Sequence, residues 1–248
     1  MFLKFIRKHL SFFIIGFLIF FMVAVILLPL YKQQLLMVSR QSWALLPPEW
    51  TIEKTQPIGF PSIGKWMLDN QGLPANWLGV PFNNKHLQEP INIIIIDRVS
   101  SSSAEAKQTL VNTLESAGYP VRTGHSSGYQ GFIGNDYYPM MPEKINHAFA
   151  NKHFEEDNNH GRIFGPHFQN KSWFFTGAFS RENVAPLKKI KHVFDSFNQA
   201  RDDVTRKMND NTSYKIKEYV HLENAFLNNP FFTTGDHDGK AVVLVVEK

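Results

Sequence analysis

"NNHGRIFGPHFQNKSWFFTGAFSREN", residues 158–183, decides the fold. Its two apolar stretches, "HGRIFG" and "SWFFTGAF", are rich in aromatic and β-branched side chains. They read as two adjacent strands joined by a turn around residues 166–171. Such a hairpin needs a sheet to sit in, and the flanking sequence supplies one. "INIIIID" at 91–97 is a short apolar run expected as a buried strand. The segment after it carries a capping box at Ser102 and Glu105 and apolar positions Ala106, Leu110, Val111, Leu114 and Ala117 at helical spacing. Gly118 sits where a helix-ending glycine belongs. A strand at 119–122 would complete a β-α-β unit. Residues 123–159 read mainly as loop, with a short helix near 143–149.

Downstream of the hairpin, Phe194, Phe197, Ala200, Val204 and Met208 share one face of a second helix, with Asp195 or Ser196 as its cap. "SYKIKEYVHL" alternates like a half-buried strand, and "AVVLVVE" reads as a buried closing strand. The expectation is an α+β domain over residues 90–248. It has a mixed or antiparallel sheet, two helices packed on one face and a split β-α-β wiring.

Upstream, residues 10–31 run without a charge for about 22 positions, which at about 1.5 Å per residue spans a bilayer core of about 30 Å. The run is longer than the apolar part of a cleaved signal peptide. No small-x-small site follows it, so it reads as an uncleaved transmembrane signal-anchor. Lys4, Arg7 and Lys8 in the tail at 1–9 outweigh Lys32 and Arg40. That keeps the N-terminus cytoplasmic and places the domain in the periplasm, on a single pass through a bacterial inner membrane. Residues 32–89 form a juxtamembrane and connecting segment rich in Pro and Trp. It is expected to wrap the domain or lie near the headgroups, with Trp43 and Trp50 as interfacial anchors.

A formal net charge of +4, with basic and acidic residues interleaved, argues against nucleic acid and leaves membrane lipid as the natural partner of the basic flank. The absence of cysteine excludes disulfides, thiolate metal sites and a cysteine nucleophile. No glycine fingerprint marks a nucleotide site at the first strand-to-helix turn. His147, His153, His160 and His167 are spaced by six and seven residues with Gly161 and Pro166 between them. This is not the spacing of close ligand pairs, so neither a metal nor another cofactor is expected.

Two groups of residues can carry chemistry. His192 and Asp195 are candidate catalytic residues, an acid/base and the carboxylate that orients it. His160, Arg162 and Arg181, at the ends of the hairpin strands, together with Arg201 and Asp202, are candidates for a polar pocket. Arginine there would hold a carboxylate or phosphate. Each also has a structural reading. Asp195 can be a helix cap, Arg201 and Asp202 a solvated helix face, and "GDHDGK", with Asp236, His237 and Asp238, a tight turn. Neither G-x-S-x-G nor H-E-x-x-H occurs, so no nucleophile motif decides between these readings.

In their order along the chain, four motifs resemble the LssY C-terminal domain family over about residues 90–248. They are His160 and Arg162; Trp173, Gly177, Ala178 and Arg181; His192, Asp195, Arg201 and Asp202; and Phe232, Thr233 and Gly239. Asn198 stands where that family tends to carry an acidic residue, and Asp236-His237 enlarges the last turn. The resemblance implies an envelope accessory domain on a membrane anchor and carries no assigned reaction. Two functions follow as expectations. One is an accessory protein acting by interaction with envelope or secretion-related proteins. The alternative is a hydrolase acting on an envelope phospho- or glycolipid.

Overall fold

At the centre of a computed structural model lies the antiparallel hairpin of β10 (Asn158–Gln169) and β11 (Ser172–Ala185). It closes through Asn170 and Lys171, both at positive φ of 50° and 60°, the two-residue turn whose twist matches that of its strands. The structure describes residues 52–185 and 191–247, together with Phe21. The expected anchor at 10–31, Phe21 apart, lies outside the described residues, as do its flanking charges, Trp43 and Trp50. Among the described residues no helix is long and apolar enough to cross a membrane. The compact unit runs Ile52–Lys248 and so takes in part of the Pro/Trp-rich segment.

In chain order the unit contains β1 (Lys54–Thr55), β2 (Ile63–Gly64), β3 (Asn76–Phe82), β4 (Lys85–Gln88), β5 (Ile93–Asp97) and α1 (Ser103–Ser116). There follow β6 (Val121–Thr123), β7 (Gln130–Ile133), β8 (Asp136–Met141), β9 (His147–Ala150) and the hairpin. The chain ends with β12 (Lys191–Ser196), α2 (Phe197–Asn211), β13 (Lys215–His221), β14 (Phe232–Thr233) and β15 (Lys240–Val246). The main sheet runs β1-β2-β7-β8-β10-β11-β5-β15-β13, and β14-β4-β3 form a small separate sheet. The domain is therefore a sheet-dominated α+β domain with two helices.

Strand β11 runs opposite to both of its neighbours, β5 and β10. The parallel pairing in the main sheet is β15 on β5. Both are near-continuous runs of Ile and Val because both of their faces are covered. On one face Ile93, Ile95, Phe175, Phe179 and Leu244 pack against Ala106, Leu110 and Leu114 of α1 and Ala200, Val204 and Met208 of α2. On the other, Ile94, Ile96, Phe174, Ala178 and Val243 pack against Phe60, Ile63, Met67 and Ala75. The segment before the first long strand thus forms the third layer of the core.

Several expectations change in detail. Ser102 caps α1 through its hydroxyl, as its motif requires, and Gly118 takes φ +82° just beyond the helix. The strand after α1 is displaced to β6, which pairs with β9 and not with β5, so no parallel β-α-β pair forms there. Residues 123–159 hold strands instead of a loop with a helix. β7 and β8 close through Gly134–Asn135, and β9 pairs with β6 and β10. The short helix at 143–149 is replaced because Asn146 adopts φ 60° and His147 begins β9. The segment at 191–196 is a strand on β11, and Ser196 caps α2, accepting from the Gln199 N–H at 2.9 Å.

Candidate functional site

Strand alternation builds the site. Asn158, His160 and Arg162 fall on one face of β10, and the antiparallel register sets Glu182 directly across from Asn158 and Ser180 across from His160. At this point the sheet branches. β10 pairs with β9 through His160 and Gly161 and with β8 through Ile163 and Phe164, while β11 leaves β5 for β12 beyond Gly177. The branch opens a cavity of about 70 Å³ bordered by Glu89, His125, Phe154, His160, Arg162 and Glu182. At roughly 10–15 Å³ per water, it has room for a few waters or one small anionic group.

The polar groups here are buried and incompletely satisfied. Arg162 is 2 % exposed. Its Nη2 donates to the Ser126 carbonyl at 2.8 Å, its guanidinium lies 5.2 Å from the Tyr129 ring centre, and its Nε has no partner. His125, on the loop after β6, stacks on His160 with ring centres 4.5 Å apart, and neither of its ring nitrogens has a hydrogen bond. That loop depends on Gly124, at φ +100°, where a Cβ would stand 2.7 Å from the Phe154 side chain. His160 Nδ1 lies 3.1 Å from Asn158 Oδ1, and Asn158 Nδ2 donates to Glu182 Oε1 at 3.3 Å. His192, stacked on Phe154 at 3.8 Å, brings Nδ1 to 2.7 Å from Glu182 Oε1. That approach is off the hydrogen-bond direction, and neither ring nitrogen of His192 has a hydrogen-bond partner.

Burial sets the protonation states. It lowers the His125 imidazole to about 3, helped by the nearby Arg162 and His192, and holds His160 well below the usual histidine range. His192 is lowered by the same cause. Burial raises Glu89 to about 7 against the opposing pull of Arg162, and raises Glu182 to about 7 against its bond from Asn158. Near neutral pH the cavity therefore presents neutral imidazoles with free lone pairs, two carboxyls able to gain or lose a proton, and one fixed positive charge. A nitrogen from each of His125 and His160 and an oxygen of Glu182 all lie within 4.8 Å of one another, the geometry of a possible metal ligand set.

Of the residues expected from sequence, the structure brings together His160, Arg162 and His192. Arg181 is one position out of phase and faces the other way, donating to Asp195 at 2.7 Å and to Asn159 at 3.3 Å. The carboxylate against His192 is thus Glu182, while Asp195 pairs with Arg181 outside the cavity. Arg201 is buried and clamps α2 to the end of the sheet, bonded to Asp202, Asp238 and the Lys240 carbonyl at 2.7, 2.6 and 3.0 Å. Asp236 accepts the Phe197 N–H at 2.8 Å, so the enlarged last turn caps α2. His147, His153 and His167 scatter, meeting the Ile145 carbonyl, Arg122 and Tyr138 respectively.

Sequence reasoning missed His125, Glu182 and Glu89. Glu182 carried a usable signal, a carboxylate in phase with Asn158 across the hairpin. His125 carried none, because a loop between two short strands brings it in. No family model, no curated protein and no solved structure matches this chain.

Proposed function

We propose that the protein is a hydrolase of phosphoester-bearing envelope lipids, held at the periplasmic face of a bacterial inner membrane by residues 10–31. The charge-free run with its basic flank supports the placement, and so does the ordered likeness to the LssY C-terminal domain family. The observation that carries the reaction is the cavity, where a buried arginine, two histidines and two carboxyls of shifted protonation converge, with His192 against one of those carboxyls. Arg162 holds the phosphate, its buried, unpaired Nε supplying a donor. A carboxyl near 7 serves as either acid or base at neutral pH. Hydrolysis adds water across the ester. Its oxygen bonds to phosphorus, the bond to the leaving alcohol breaks, and the proton passes to that alcohol. The cavity admits the phosphate group alone, so the lipid tails stay outside.

Assembly with envelope or secretion-related proteins is the second reading. It has an observation of its own in Leu227 and Phe231, both exposed in the segment before β14. Full-length protein in a mild detergent, offered phosphoester lipids and glycolipids, separates the two. Turnover of the phosphoester lipids, falling about 100-fold in Arg162→Met, is the expected result. No turnover of any lipid, with a large complex containing other proteins, would replace the hydrolase with the assembly partner.

A further inference from the structure

The Ser126 hydroxyl at the cavity wall is already engaged, accepting from the Tyr129 hydroxyl at 2.9 Å and from Arg162 Nη2 at 3.3 Å, while three other side chains are arranged as ligands. We propose that His125, His160 and Glu182 hold a single divalent transition metal of the zinc class. The inference deepens the hydrolase reading, since it names what would activate the water, but binding of the ion is measurable without any substrate.

Four observations carry it. The three donor atoms lie within 4.8 Å of one another, while ligands around a tetrahedral zinc stand about 3.3 Å apart, so the set closes by on the order of 1 Å. His125 is 3 % exposed and neither of its nitrogens has a partner, an arrangement costly in a protein interior unless something occupies the lone pair. Glu182, equally buried, meets no lysine or arginine within ion-pairing distance among the described residues. Asn158 touches both other ligands. Its Oδ1 lies 3.1 Å from His160 Nδ1, and its Nδ2 donates to Glu182 Oε1 at 3.3 Å. Partners of this kind fix the tautomer and orientation of metal-bound histidines.

The donor set also selects the ion. Two neutral imidazoles and one carboxylate suit zinc or its close neighbours in the series, and they fit poorly with magnesium or calcium, which prefer all-oxygen shells. Three protein ligands bordering a cavity with room for water leave a coordination position for it, as in catalytic and not structural zinc sites. His192, against Glu182 and behind Phe154, is a positioning residue for that ligand.

The test uses full-length protein in detergent, stripped with a chelator and titrated with Zn²⁺ alone, with bound metal counted by mass spectrometry. One zinc per chain is expected, with a rise in melting temperature. His125→Ala and Glu182→Gln should lower the affinity at least 100-fold while His153→Ala, at an exposed histidine, keeps it. Co²⁺ in place of Zn²⁺ should give the visible absorption of a four- or five-coordinate ion. Circular dichroism of the metal-free variants confirms that they fold. Should His125→Ala fail to fold, the loss of the cobalt spectrum in Glu182→Gln decides the matter. Wild-type protein that takes up no zinc at micromolar concentration, or variants that bind it as wild type does, would overturn the proposal. Lipid turnover by protein that takes up no zinc would overturn it while leaving the hydrolase standing. Stoichiometric zinc without turnover of any lipid would support the metal site and remove the hydrolase.

Discussion

Replacing Glu89 with Gln should stabilise the domain above neutral pH and leave it unchanged in mild acid. Glu89 is fully enclosed beside Arg162, and burial outweighs that attraction, raising its carboxyl from 4.5 to about 7. Between these values the folded chain keeps the proton and the unfolded chain has released it. Unfolding then frees a proton, and stability falls as pH rises through this window. The difference of about 2.5 units, at about 1.36 kcal/mol each, sets an upper limit of about 3 kcal/mol for the cost of ionising Glu89 in place. Gln mimics the protonated acid, so the variant avoids that cost. Shifts at Glu182 and the histidines occur in both proteins and largely cancel. Urea unfolding of the chelator-treated proteins at pH 4.5, 6 and 8 measures the difference. It should be near zero at pH 4.5 and reach about 2–3 kcal/mol in favour of the variant at pH 8. A difference independent of pH, or a variant less stable at pH 8, would refute the reasoning.

Three further outcomes follow. Asn92 is fully buried, its Nδ2 donating to the Phe179 carbonyl at 2.8 Å and its Oδ1 accepting the Phe179 N–H at 3.1 Å. Asn92→Ala should therefore cost about 2–4 kcal/mol in urea unfolding by leaving two buried backbone groups unpaired. Gly161→Ala would place a Cβ 2.5 Å from the Ala178 carbonyl and 2.4 Å from the Phe179 ring; since the carbonyl cannot yield, a loss of about 3 kcal/mol is expected, read as a lowered melting temperature. Asp195→Asn breaks a half-exposed ion pair with Arg181, so stability should change by less than about 1 kcal/mol and lipid turnover by less than twofold, as steady-state assays would show.

What was legible in the sequence was whatever repeats locally. The buried runs of β5 and β15, the cap at Ser102 and the apolar faces of α1 and α2 all declare themselves through short-range patterns. The strands at β7–β9 did not, because their pairing is settled by distant partners and their composition is that of a loop. The site divides in the same way. His160 and Arg162 lie two apart on one strand, so alternation alone puts them together. Arg181 belongs to the same hairpin, yet a one-residue difference in phase turns it to the opposite face, toward Asn159 and Asp195. His125 and Glu89 arrive from separate segments, and no spacing in the chain relates them to His160. Asp236 and Arg201 have residue types suited to catalysis, and the fold uses them as a helix cap and a clamp.

That the cavity beside Arg162 receives a small anion is the point on which the account depends. The direct measurement is a titration of the full-length protein with inorganic phosphate, followed by the imidazole resonances of its histidines. The account predicts saturable shifts at His125 and His160, absent in Arg162→Met, with exposed His153 and His221 unaffected. Saturation that leaves His125 and His160 unmoved, or shifts that survive the loss of Arg162, would contradict it.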